Sequence, residues 1–228
     1  MTTSGKTVGY LELIIGPMFS SKTSSLLEIY KQCKFCNIRV SIINHSIDKR
    51  YDDTMISSHD KIMAPCFQAN KLNDVWSNNS FLDCCTEIPC KEGLCENKRE
   101  SNAHKSLRDS DVILINEGQF FPDLYEVVLD MLNNNKKVYI CGLDGDFERK
   151  KFGAILDLIP LCDKVNKLTS LCSLCRDGTR GIFSMRLTNE TEQTLVGSDN
   201  YIPVCRSCYS KKQSTNSTTN KTLSKIYI

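Results

Sequence analysis

Apolar residues in this chain fall in short continuous runs separated by amphipathic or polar stretches. That pattern suits strands buried on both faces, alternating with helices. Tyr10 to Ile15 is the first run and predicts a strand. Ser24 to Cys36 follows, with Leu26, Leu27, Tyr30 and Cys33 at helical spacing, and predicts an amphipathic helix. Ile38 to Asn44 predicts a second strand. Ser46 to His59 is polar and reads as a loop, and Ile62 to Trp76 is ambiguous. Val112 to Ile115 predicts a central parallel strand, Leu124 to Leu132 a helix, and Lys137 to Cys141 a further strand, with another near Val165. This alternation implies an α/β fold built on a parallel sheet flanked by helices. Ligands of such sheets gather beyond the carboxyl ends of the strands. Gly16, Glu117 and Asp144 each follow a strand end, so they are expected to converge on one crevice.

Two stretches break the alternation. Residues 78–105 are polar, lack periodicity and carry Cys84, Cys85, Cys90 and Cys95 at spacings that fit no common ligand pattern, so they read as an insertion with incidental thiols. From Ser170 the pattern changes to paired cysteines, and from Lys211 to a Lys-, Ser-, Thr- and Asn-rich end. The expected organisation is an α/β domain over residues 1–169, a cysteine-bearing module over 170–210 and a flexible tail over 211–228.

Composition narrows the class. The chain has 228 residues, 40% hydrophobic and 25% charged, as in an ordinary globular protein. The net charge of +2, with no basic stripe, argues against a nucleic-acid surface. Nothing approaches the roughly 18 apolar residues of a membrane span. Met1 to Lys6 lacks the apolar core of a signal peptide, so a cytoplasmic protein is expected. Thirteen cysteines in a reducing compartment point to metal ligands and buried thiols rather than disulfides.

The sharpest local signal is Gly16-Pro17-Met18-Phe19-Ser20-Ser21-Lys22-Thr23, between the first strand and the first helix. A strand, a tight turn and Lys-Thr opening a helix form the context of a phosphate-binding loop. Helix N-terminal amides and the dipole attract anionic oxygens, Lys22 reaches terminal phosphates, and the Thr23 hydroxyl serves Mg²⁺. Ser21 stands where glycine is usual, at a cost in strain or in nucleotide binding.

Cys172-x-x-Cys175 and Cys205-x-x-Cys208 bracket residues 176–204. Two such pairs close a tetrahedral Zn²⁺ shell with no open position, so the metal is expected to be structural. Glu117 is placed equally well as a general base or as a helix cap. Asn116 precedes it, where an Mg²⁺-supporting Asp is common. Arg50, with Asp48, is placed to stabilise phosphoryl charge or to form a surface ion pair. Phe120, Phe121, Phe147 and Phe152 either wall a pocket for a planar base or pack the core.

Together these residues resemble the thymidine kinase family of the zinc-containing cellular and poxvirus type. The resemblance rests on the phosphate loop, Asp48-x-Arg50-Tyr51, Glu117-Gly118-Gln119-Phe120-Phe121-Pro122-Asp123, Leu143-Asp144-Gly145-x-Phe147-x-Arg149-Lys150-x-Phe152-Gly153 and the paired knuckles, in order from about residue 8 to 210. It implies a RecA-like phosphate-loop domain with a zinc-ribbon module and lasso loop. It also implies ATP-dependent phosphorylation of the thymidine 5′-hydroxyl to dTMP, with Glu117 as base. Gly16 to Thr23, Asp48, Arg50, Asn116 and Gln119 would then lie on the phosphate side. Met18, Phe120, Leu143, Phe147, Phe152, Gln193, Thr194, Leu195, Val196, Gly197 and Tyr201 would surround the nucleoside. ATP, Mg²⁺ and structural Zn²⁺, a homotetramer and feedback by dTTP belong to the same implication.

Ser21, Asn116, Gly142, Asp146 and Glu148 depart from the family pattern, and the lasso is a residue short near Gly197. Ser21 and Asn116 fall on the phosphate side, so reverting both to Gly and Asp is expected to raise turnover. The competing readings are a nucleoside-binding pseudokinase and a zinc-ribbon nucleic-acid ATPase. Retention of Lys22, Thr23, Arg50 and Glu117 favours the enzyme over the first, and charge disfavours the second.

Overall fold

The computed structural model describes residues 8–47, 55–57, 62–77, 107–188, 190, 192–194 and 200–212. Asp48, Arg50, Tyr51, the 78–105 insertion and Leu195, Val196 and Gly197 lie outside the described residues.

Six strands form one sheet: β1 (Tyr10–Ile15), β2 (Val40–His45), β5 (Phe67–Ala69), β6 (Val112–Asn116), β7 (Lys137–Gly142) and β8 (Lys164–Lys167). Their order is β5-β2-β6-β7-β1-β8, and every pairing is parallel. The runs are continuously apolar because side chains alternate between two covered faces. Leu11, Leu13, Ile15, Ile43, Ile113, Ile115, Val138 and Ile140 share one core with α3 (Leu124–Asn133). Ile14, Ile42, Val112, Leu114 and Cys141 point the other way, against Leu26, Leu27 and Cys33 of α1 (Lys22–Phe35). Leu26 is fully buried, and its truncation to Ala is expected to cost about 2–5 kcal/mol.

The segments read as loop or ambiguous contain short elements. Met55–Ser57 (β3) pairs antiparallel with Met63–Pro65 (β4), and a short helix, α2 (Leu72–Trp76), follows β5. That helix has no capping side chain of its own. Asp123, distant in sequence, accepts from the Leu72 and Asn73 N–H groups at 3.0 and 2.9 Å and satisfies its open donors. α1 begins at Lys22 rather than Ser24, and β2 begins at Val40, leaving Ile38 40% exposed.

After β8 the chain enters a small antiparallel region: β9 (Ser170–Leu171) with β10 (Arg180–Gly181), and β11 (Phe183–Arg186) with β12 (Tyr201–Val204). Cys172, Met185, Val204, Cys205 and Tyr209 form a core there, apart from the two beside the sheet. Residues 206–212 are helical, so Lys211 and Lys212, where the expected tail begins, belong to this region. Lys212 Nζ donates to the Arg186 carbonyl at 2.5 Å.

Candidate active site

β1 delivers the chain into the Gly16–Thr23 turn. Gly16 has φ 153, and a side chain on it would press on the Leu168 carbonyl 2.5 Å away. The glycine is therefore demanded by both backbone and space. The Pro17 carbonyl accepts from Ser20 Oγ at 2.8 Å and from Lys22 Nζ at 2.7 Å, so the lysine folds back over its own loop. Phe19 and Ser21 both have left-handed backbone, φ 61 and 63. The strain expected at Ser21 is therefore present. The left-handed conformation costs a non-glycine residue about 1–2 kcal/mol.

Beneath the loop lies a row of polar side chains on the α1 face of the sheet. Asn44 and Asn116 are register partners, and Asn116 Nδ2 donates to Asn44 Oδ1 at 2.7 Å. Asn116 Oδ1 accepts from Thr23 Oγ1 at 3.3 Å and from the Cys141 thiol at 2.9 Å. Asn116 is fully buried. The Thr23 contact ties the phosphate loop to the strand end that carries Glu117.

Glu117 itself has left-handed backbone, φ 55 and ψ 42. A non-glycine residue held there stores strain, a feature that clusters at functional sites. Gln119, expected on the phosphate side, is 3% exposed. Its Nε2 donates to Glu117 Oε2 at 2.7 Å, and its Oε1 accepts from the Leu143 N–H at 2.9 Å.

Phe120 is half-buried and meets Phe152 edge-on at 5.4 Å. His45, at the end of β2, lies tilted against Phe120 at 5.5 Å and edge-on to Phe121 at 4.8 Å. Phe121 is 1% exposed and belongs to the sheet core, so it does not wall a pocket. Burial pushes the His45 titration down, although a carbonyl partner at Asn70 and the Glu117 charge oppose this.

The antiparallel region docks on this end of the sheet. Met18 N donates to Ser184 Oγ at 2.9 Å, and Tyr209 Oη donates to the Phe147 carbonyl at 2.5 Å. Arg186, 4% exposed, stacks on Phe147 at 3.7 Å and donates to the carbonyls of Glu190, Glu192 and Gln193 and to Tyr201 Oη. Gln193 Nε2 donates to Asp146 Oδ2 at 2.8 Å, while Asp146 Oδ1 accepts from the Glu148 and Lys150 N–H groups. Thr194 is half-buried beside them in sequence. The structure thus groups Lys22, Thr23 and Asn116; Glu117, Gln119 and Leu143; Phe120 and Phe152; and Phe147, Gln193 and Tyr201.

Sequence reasoning misses Arg186, Ser184 and His45. A charged residue closing the largely apolar stretch Ile182–Met185, broken only by Ser184, is the signal that marks Arg186. No sequence signal marks Ser184, and only a strand-end position marks His45.

The Sγ atoms of Cys172, Cys175, Cys205 and Cys208 all lie within 4.8 Å of one another. Cys175 sits 3.8 Å from Cys205 and 3.5 Å from Cys208. Tetrahedral Zn–S bonds of about 2.3 Å place sulfurs about 3.8 Å apart, so the set fits zinc. N–H groups of Cys205 and Cys208 point at Cys172 and Cys205 sulfurs, as thiolate knuckles require. Burial opposes ionisation of Cys172, yet surrounding N–H donors bring it down to about 6.

These features define the class: an α/β protein of the phosphate-loop kind, bearing a four-thiol module at the carboxyl end of its sheet. The family model described as "Thymidine kinase" matches residues 9–86 and 86–209. The Vaccinia virus (strain Western Reserve) thymidine kinase is 38% identical over 202 residues, 88% of this chain and 97% of the viral protein. "Thymidine kinase 1" of Dictyostelium discoideum is 33% identical over 216 residues, 92% of this chain and 82% of that protein. For the Oryza sativa subsp. japonica thymidine kinase the figures are 37% over 204 residues, 88% and 66%. The chain belongs to the thymidine kinase family, a family of transferases. Among the described residues no helix is long and apolar enough to cross a membrane.

Proposed function

We propose that this protein transfers the γ-phosphate of ATP to the 5′-hydroxyl of thymidine, giving dTMP. The observation that carries the reading is the Thr23–Asn116 contact, which sets the phosphate loop beside the strand end that bears Glu117. In this reading Glu117 accepts the 5′-hydroxyl proton as the oxygen attacks the γ-phosphorus and the bond from that phosphorus to the bridging oxygen breaks, ADP leaving with the electron pair. Lys22 leaves the Pro17 carbonyl for the terminal phosphates, and the α1 N-terminal amides orient them. The Thr23 hydroxyl would help hold Mg²⁺, which would supply charge neutralisation to the phosphates when bound. Asp48 and Arg50 assist on the phosphate side. Met18, Phe120, Leu143, Phe147 and Phe152 bound the nucleoside, and Gln193 to Gly197 with Tyr201 cover the base. That cover excludes water and limits ATP hydrolysis. Cys172, Cys175, Cys205 and Cys208 would hold Zn²⁺, which would fix the root of the cover. A division into residues 1–169, 170–210 and 211–228, a cytoplasmic homotetramer and feedback by dTTP complete the proposal.

One observation favours a second reading, a nucleoside-binding protein with weakened transfer. The strained Ser21 and the uncharged Asn116 both lie on the phosphate side. Radiolabelled thymidine with Mg²⁺-ATP decides between them, run beside Glu117→Gln. Labelled dTMP that vanishes in the variant supports the kinase. Absence of product from folded, zinc-loaded protein supports the binding reading.

A further inference from the structure

We infer that Gln119 is a positioning residue for the Glu117 carboxylate, coupling it to the backbone of the nucleoside pocket at Leu143. This deepens the reading above, in which Glu117 is the base. Three observations carry it. The Gln119 amide is 3% exposed and makes one hydrogen bond in each direction, to Glu117 Oε2 at 2.7 Å and from Leu143 N at 2.9 Å. Two glycines leave it room: a side chain on Gly142 would collide with Gln119 Oε1, and one on Gly153 with the Gln119 carbonyl. Glu117 sits on left-handed backbone, so its side-chain direction is set by a strained turn and needs a second restraint to stay fixed.

The chemistry follows from donor direction. An amide N–H directed at Oε2 fixes one oxygen and so restrains the orientation of the whole carboxylate. The same amide's oxygen anchors Leu143, so a nucleoside that moves Leu143 moves the base with it. His45, at the end of β2, also faces the Glu117 charge. Its ring is held by the Ile47 N–H donating to Nδ1 at 3.1 Å.

Gln119→Glu separates the two bonds. It keeps an acceptor for the Leu143 N–H and replaces the donor facing Glu117 by a second carboxylate. Two carboxylates in contact share a proton, and one titration rises by more than about 1 pK unit. The acidic limb of kcat/KM should therefore move up by about one pH unit or more, with KM for thymidine little changed. A readout without turnover accompanies it. Gln119→Glu should melt near the wild type at pH 5 and well below it at pH 8. Adding Glu117→Gln to that variant should remove the difference, with His45 unaltered in both. An unchanged limb, a melting curve that tracks the wild type, or failure of Glu117→Gln to rescue would overturn the positioning role. Wild-type turnover in Glu117→Gln alone would overturn the base assignment itself, and the catalytic meaning of the pair with it.

Discussion

Asn116 and Asn44 face each other across β6 and β2 and are joined amide to amide at 2.7 Å, directly below the phosphate loop. The pair sets the cost of the Asp common at position 116. A carboxylate there would meet the Asn44 oxygen, so Asn44 must turn its NH₂ inward, and a full charge would sit where Asn116 is wholly buried. Asn116→Asp is expected to destabilise the nucleotide-free protein by about 1–3 kcal/mol. Mg²⁺-ATP should recover much of that loss. Thermal melts with and without Mg²⁺-ATP check it, and equal melting shifts in both conditions would refute it.

Ser21 offers the complementary change. Relief of left-handed strain is worth about 1–2 kcal/mol. The added chain freedom of glycine subtracts roughly 0.5–1 kcal/mol. Ser21→Gly should therefore raise stability by up to about 1.5 kcal/mol and tighten ATP binding. Combined with Asn116→Asp it should raise kcat. Chemical denaturation and steady-state kinetics read both effects, and a net loss of stability would show that the serine is accommodated without strain.

Arg186 cannot be replaced by lysine without loss. Its planar guanidinium donates to three carbonyls and a phenol while stacking on Phe147. An ammonium reproduces neither the fork nor the stack. Arg186→Lys should raise KM for thymidine about tenfold, equivalent to roughly 1.4 kcal/mol, and leave kcat within about threefold if the chemistry on Glu117 is untouched. A fall in kcat at constant KM would place Arg186 in the chemical step instead.

His45 makes stability depend on pH in a defined direction. Burial lowers its titration in the folded state, so the unfolded chain binds the proton more readily. Its contribution is complete above the ordinary histidine range. It is lost as pH falls through that range toward the folded-state value. The melting temperature should decline between pH 7.5 and 5.5, by less in His45→Phe, which keeps the ring against Phe120 and Phe121. Identical slopes would remove His45 as the cause.

Zinc removal should act on one part of the molecule. The four-thiol core is separate from the two cores beside the sheet. Cys175→Ser is expected to abolish binding of one zinc per chain and to expose residues 170–212 to protease. The sheet, measured by far-ultraviolet dichroism, should persist. Metal analysis and limited proteolysis test this, and global unfolding would refute the separation.

How far the sequence carries these arguments depends on where each residue's partners lie. Tyr10 to Ile15 and Val112 to Ile115 are legible as strands because both faces are covered and no polar residue interrupts the run, apart from Glu12. Met55–Ser57 and Met63–Pro65 are too short for a period to register. The helix at Leu72 is hidden because its cap is Asp123, supplied from another part of the chain. The Gly16–Thr23 loop and the paired cysteines are legible as chemistry because their spacing is local. Gln119 and Phe121 sit in a readable motif, yet which way each side chain turns is decided by Leu143, Glu117 and the sheet core. Ser21 is the instructive case: the residue type signals strain, and the backbone angle bears it out.

The strand that carries the phosphate loop has a further consequence for how the chain is made. β1 is synthesised before the other strands of the sheet, but its neighbours are Lys137–Gly142 and Lys164–Lys167. Until both have been synthesised, Tyr10–Ile15 keeps at least one unpaired edge, open to foreign strands. Pairings this distant in sequence form slowly. The segment that leads into the phosphate loop therefore gains its second neighbour only when Lys164–Lys167 is made, and a nascent chain halted before residue 164 leaves one edge of that apolar run bare.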